Sequence, residues 1–292
     1  MRQCRIAELA DRAVIRLSGA GTRSFLQGLI TNDISKVAPG TAIHAGLLSP
    51  QGKVLFDFFV LSDGDDYFLE VANAQAGPLR QRLSFYRLRA PVTIEEEPSL
   101  KVAAVWGAAP PADLPAPAHL FADPRLKSMG WRLLLPLDID LAAFGCEPAS
   151  EADYHAHRIA QGVPEGGRDY AFGDAFPHEA MFDQLNGVDF RKGCFVGQEV
   201  VSRMEHRGTA RKRIVGVEGE GVLPPPGAEI FAGSAPIGAL GSVDGQSGLA
   251  LIRLDRAEEA KAQGITLRAG GVPIALRIPP WAHFQIPTAA AS

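Results

Sequence analysis

Cysteine is scarce in this chain of 292 residues: there are only Cys4, Cys146 and Cys194. Three scattered cysteines exclude a disulfide scaffold and a zinc finger. No run approaches the ~18 consecutive apolar residues of a membrane span. The first residues carry Glu8 and Asp11 and lack an apolar segment, so no signal peptide is expected and a cytoplasmic location is the default. There is no P-loop, no GxGxxG after a strand, and no histidine pair at metal spacing. His155 and His157 are two apart and point to different helix faces. No metal site is expected.

What is present fits a soluble globular protein. Apolar residues make up 46% and charged residues 21%, with a net charge of −4. At roughly 150 residues per domain the length suggests two domains or three small ones. Gly and Pro number 31 and 22, which implies many turns between short strands.

Periodicity places strands over 13–17, 45–48, 53–61, 67–71, 92–97, 101–106 and 131–137. A short helix over 22–30 carries Phe25, Leu26, Leu29 and Ile30 on one face. Asn73 is placed to cap a second helix bearing Leu79, Leu83 and Tyr86. The segment 108–118 holds four prolines and reads as a loop. Ser150-Glu151-Ala152-Asp153 fits a capping box with Asp in place of Glu, opening a helix that stops at Gly162. A further short helix is expected over 198–206. After Gly208, strands over 213–217, 229–231, 237–243, 249–254 and 274–278 read as a small closed barrel. The fold class is α+β: ferredoxin-like layers followed by a C-terminal β-barrel. The boundaries fall at 1–100, 101–208 and 209–292.

The most informative segment is Arg191-Lys192-Gly193-Cys194-Phe195-Val196-Gly197-Gln198-Glu199. Two glycines flank a cysteine ahead of a helix, and glycines allow close approach or a left-handed turn. Arg191 and Lys192 beside Cys194 favour a thiolate. The blander reading makes Cys194 a small buried hydrophobe. Between Arg191 and Arg213 there are seven Arg or Lys against Glu199 and Glu205. Such a patch suits an anionic partner, or else a solvated strand edge.

Lys192 to Glu199, with Arg203 and His206-Arg207-Gly208, resembles the signature of the YgfZ-type folate-binding family. Phe25 to Asp33, Ser49 to Asp57, Asp123-Pro124-Arg125 and Pro177-His178-Glu179 also resemble it, so the likeness runs along the whole chain. The family is related to the glycine-cleavage T-protein, an aminomethyltransferase. The resemblance implies α+β domains around a central folate-sized hole, tetrahydrofolate as cofactor, and support of iron–sulfur enzymes or cluster-assembly proteins, including enzymes that thiolate tRNA. Cys194 becomes the functional thiol. Asp57, Asn73, Arg158, Glu179 and Arg207 become folate-binding positions. Lys192, Gly193, Gly197, Gln198, Glu199 and Arg203 complete the motif.

Set against the T-protein, one carboxylate of a strand pair survives as Asp57. The Asn-Ala after a strand is Asn73-Ala74, and an arginine is kept as Arg158 while the glutamate after it is Ala160. The pterin-reading glutamate falls on Arg132, and a guanidinium has only donors where a carboxylate accepts. A folate-binding factor without turnover therefore ranks ahead of an aminomethyltransferase. Direct tRNA contact ranks lowest.

Overall fold

The computed structural model describes residues 4–110, 119–207 and 210–284. Most of the loop over 108–118 and the tail from Thr288 lie outside the described residues. In chain order the elements begin β1 (Arg5–Glu8), β2 (Arg12–Ser18), α1 (Thr22–Leu29), β3 (Ala42–Leu48), β4 (Val54–Asp63), β5 (Asp66–Ala72) and α2 (Asn73–Arg87). They continue β6 (Thr93–Glu96), β7 (Leu100–Trp106), β8 (His119–Ala122), β9 (Trp131–Pro136), β10 (Glu147–Pro148), α3 (Glu151–Gln161) and α4 (Gln198–Arg207). The last third is β11 (Lys212–Gly219), β12 (Glu229–Ala232), β13 (Ala235–Asp244), β14 (Ser247–Arg253), α5 (Leu254–Ala262), β15 (Leu267–Ala269) and β16 (Val272–Arg277).

These elements divide into two compact units. One comprises residues 1–50, 55–155 and 185–198; the other comprises 51–54, 156–184 and 199–292. The first unit holds two five-stranded sheets, ordered β3-β4-β5-β2-β6 and β10-β1-β7-β9-β8. The apolar face of the first sheet buries Ile15, Leu17, Phe56, Phe58, Val60 and Leu69. Helix α1 adds Leu26 and Leu29 to that core. Helix α2 adds Ala76, Leu79 and Leu83, a stripe at helical spacing. Gly130 lets β9 lie against β7. Its φ is +86°, and a Cβ there would sit 2.1 Å from the Val105 carbonyl oxygen.

Two local expectations differ in outcome. The capping box forms: the Asp153 amide donates to Ser150 Oγ at 3.1 Å, and the Ser150 amide donates to Asp153 Oδ2 at 2.9 Å. Asn73 is not a side-chain cap. It is the first helical residue after Ala72, and its backbone amide donates to the Asp11 carbonyl. One cysteine pair does exist: Cys4 and Cys146, 142 residues apart, are joined as a disulfide.

In the second unit β11-β14-β13-β12-β15-β16 closes into a six-stranded barrel, which leaves no free sheet edge. Ile230, Ile237, Leu240, Ile252 and Ala269 fill it. Helix α5 packs Leu254 and Ala257 onto the same core. Sequence periodicity missed both α5 and the three-residue β15. Among the described residues, no helix is long and apolar enough to cross a membrane.

Candidate functional site

The cysteine loop is built in the first unit by two segments about 160 residues apart. Helix α1 ends at Leu29, which leaves carbonyls of its last turn without helical partners. The Lys192 ammonium takes one of these, from Gln27, and two more from the segment that follows the helix. Its Nζ donates to the carbonyls of Gln27, Ile30 and Asn32 at 2.8, 2.5 and 3.0 Å. Burial pushes the Lys192 pKa down to about 8, against the pull of Asp33 and Asp189. Thr31 Oγ donates to the Gly187 carbonyl at 2.6 Å and accepts from the Gly46 amide. Asn32 Nδ2 donates to the carbonyls of His44 and Asn186. Asp189 accepts from the Arg191 amide and pairs with Lys36 at 2.8 Å.

Between these anchors, Phe195 is buried and Val196 packs against the sheet core. Cys194 is left exposed and is the free cysteine. The reading of Cys194 as a small buried hydrophobe is thereby overturned. Lys192 does not face the thiol as a free cation, because its ammonium is committed to three carbonyls. The two glycines differ. Gly197 has φ +80°, where a side chain is strained, and the Gln198 amide donates to the Phe195 carbonyl beside it. Gly193 faces open space and has no positive φ, so nothing at this position demands glycine.

A second polar cluster lies in the same unit. Asp123 binds Arg125 at 2.8 Å, and Arg132 approaches Glu70 at 3.4 Å and Asp123 at 3.7 Å. Glu70 also pairs with Arg12 at 3.0 Å. Tyr154 accepts hydrogen bonds from Arg125 and Arg132, and both guanidiniums lie over the Phe59 ring. Burial alone raises the Asp123 pKa, but Arg125 and Arg132 outweigh it and hold the carboxyl below its ordinary value. His44 lies nearby and is buried. Its Nδ1 faces the Leu185 carbonyl at 3.0 Å and so carries the proton. Burial, aided by Arg125, pushes its pKa down to about 4, while half-buried Asp57 acts the other way.

Other expected site residues belong to the second unit. Arg158 is fully buried. It donates to Asp169 Oδ2 at 2.6 Å, to Ser242 Oγ at 2.6 Å and to the Val163 carbonyl at 2.8 Å. Glu179 accepts from the Phe176 amide at 2.9 Å. Glu199 and Arg203 form an exposed i,i+4 pair at 3.0 Å. The Arg207 side chain lies outside the described residues. His178, Asp183 and Glu205 bring one ligand atom each within 4.8 Å of one another. Arg213 binds both oxygens of Asp183, and Glu205 lies 3.0 Å from His178 Nε2, so each of the three already has a partner in the protein.

The described cations of the run from Arg191 to Arg213 differ in exposure. Lys192 and Arg213 are buried, and Arg203 is paired; Arg191, Arg211 and Lys212 are exposed.

At the position that the T-protein resemblance assigns to reading the pterin stands Arg132, a donor already engaged by Glu70, Asp123 and Tyr154. Arg158 and Glu179 are spent on internal bonds, and Asn73 is exposed at a helix start. Asp57, like Glu179, is a half-buried carboxylate. Arg132, Arg158 and Glu179 are each engaged by groups of their own unit.

Comparison with known proteins agrees with the architecture. The family described as CAF17, C-terminal beta-barrel domain matches residues 211–284. The crystal structure of the glycine cleavage system aminomethyltransferase T from Bartonella henselae superposes with a TM-score of 0.78. It covers 98% of this chain and 88% of that one at 15% identity. The class is therefore an aminomethyltransferase fold closed by a CAF17-type barrel.

The human mitochondrial iron–sulfur cluster assembly factor IBA57 is 36% identical over 270 residues, covering 84% of this chain and 76% of that protein. The mouse protein of the same name is 34% identical over 273 residues, with the same coverages. The chain belongs to the IBA57 family of iron–sulfur cluster assembly factors, which narrows the YgfZ-type resemblance to a related member. These relatives are named mitochondrial, and this overturns the expectation of a cytoplasmic location.

Thr31, Asn32, Asp189 and His44 were not singled out as site residues from the sequence. The one available signal was that Thr31, Asn32 and Asp33 sit inside a segment resembling the family.

Proposed function

We propose that this chain works in iron–sulfur cluster assembly by offering Cys194 to a cluster or a cluster-carrying protein. The observation that supports this reading most is the exposed thiol held between buried Lys192 and Phe195. A cluster usually takes four cysteine ligands. One thiol therefore acts as a contact, and the partner supplies the rest. Lys192, Thr31 and Asn32 fix the loop that carries it, and Gly197 supplies its left-handed turn.

Tetrahydrofolate enters through the resemblance to the YgfZ-type family and its relative the T-protein, and the committed state of Arg132, Arg158 and Glu179 argues against a T-protein-like grip. No step of the proposed role runs through it. Aminomethyl transfer is disfavoured for the same reason. Enzymes that thiolate tRNA are one class of client that the YgfZ resemblance implies.

The experiment is a Cys194→Ala variant in cells lacking the parent protein. We expect an unchanged melting temperature and loss of iron–sulfur enzyme activity, with tRNA thiolation as one readout. Full activity in a folded Cys194→Ala protein would remove the thiol from the mechanism.

A further inference from the structure

Helix α2 buries one stripe and ends in an unusual surface. Between Asn73 and Ala90 stand Arg80, Arg82, Arg87 and Arg89, with no Asp, Glu or Lys, on a chain whose net charge is −4. Phe85 is 69% exposed and Leu88 86%. They stand three residues apart at the end of the helix, close enough to share a side. Arg80 pairs with Glu96 at 3.2 Å, and Arg87 donates to the Val92 carbonyl. Arg82 and Arg89 have no hydrogen bond or ion pair with any described residue.

The backbone adds a second observation. Leu88 has φ +45° and ψ −106°, and the Ala90 amide donates to the Arg87 carbonyl at 2.7 Å. These are close to the angles of the first central residue of a type II′ turn, where glycine is the ordinary occupant. Leucine there strains the backbone and returns no burial to this fold. The turn sets the direction in which its backbone presents it at the tip of the helix.

We propose that the end of α2 is a docking surface for a partner protein that presents an apolar pocket ringed by carboxylates. Phe85 and Leu88 fill the pocket, and Arg82 and Arg89 pair with its rim. Guanidinium forks match carboxylates in a bidentate way that ammonium groups do not. Aromatic residues and Arg are enriched in interfaces, where Lys is depleted, and buried aromatic anchors dominate their energetics. A bilayer fits less well. Its fluid interior gains nothing from a fixed leucine direction, and exposed Glu95 and Glu96 on neighbouring β6 oppose an anionic surface.

The test uses the full chain with p-benzoylphenylalanine in place of Phe85, photo-crosslinked in cells and mapped by mass spectrometry. We expect one dominant adduct whose crosslinked peptide is rich in Asp and Glu. Its yield should fall at least tenfold in the Arg82→Glu/Arg89→Glu variant and recover when carboxylates of that peptide are changed to Lys. Leu88→Gly should weaken the adduct without lowering the melting temperature, because glycine suits the turn. The proposal is overturned by the absence of an adduct, by adducts indifferent to charge reversal, or by a crosslinked peptide without carboxylates. It is also overturned if the parent sediments with phosphatidylcholine–phosphatidylglycerol vesicles and the charge-reversed variant does not, which would assign the surface to lipid.

Discussion

Arg158 and Asp169 meet at 2.6 Å with no side-chain surface of either exposed to solvent. The pair ties the end of α3 to the loop after it, and Ser242 on β13 takes a second guanidinium nitrogen. Asp169 in turn accepts from the Ser242 and Glu165 amides, so both charges are satisfied on several sides. A buried guanidinium in such a frame is a structural element, whatever role the resemblance assigns it.

Arg158→Ala should therefore act on folding first. Removing one member of a buried ion pair strands the other, at a cost of roughly 3–5 kcal/mol. Chemical denaturation of the variant should show that loss. A variant as stable as the parent would show that Asp169 does not depend on this arginine, and would free Arg158 for a ligand.

Lys192→Met keeps the length of the side chain and removes the donor for three carbonyls. The expected destabilisation is roughly 1–3 kcal/mol, the cost of leaving buried acceptors unmet. Local loosening should accompany it: amide hydrogen exchange over 189–196 should accelerate in the variant more than exchange in β4 or β5. Equal protection throughout would mean that Thr31 and Asn32 hold the loop without the lysine.

His44 predicts a specific pH dependence. Above pH 6.5 the imidazole is neutral in both the folded and unfolded chain. Below that, the unfolded chain takes up a proton that the folded one refuses until its pKa of about 4. Stability should fall with falling pH across this window, by roughly 3 kcal/mol in total from this residue. His44→Gln should flatten that part of the curve, read from denaturant midpoints at pH 7, 5.5 and 4. An unchanged slope in the variant would assign the acid sensitivity to other groups.

Much of the architecture was legible before any coordinates. The branched and aromatic residues over 53–61 mark β4, the stripe of Leu79 and Leu83 marks α2, and the Gly- and Pro-punctuated strands after Gly208 mark the barrel. Helix α5 was not legible, because its buried face includes Ala257 and Ala260, which barely change hydrophobicity along a sequence rich in charge.

The segment from Arg191 to Glu199 stood out by composition alone, and it pointed to Cys194. The sequence by itself determined these things: where apolar residues repeat, where glycine and proline interrupt them, and which short motif is unusual. Only the tertiary structure decided what the charged residues do. Lys192 and Arg213 read as parts of one basic run, yet one caps a helix end and the other binds Asp183. Periodicity is a local property of neighbouring side chains. The partner of a buried charge comes from a segment distant in sequence, and only folding brings the two together.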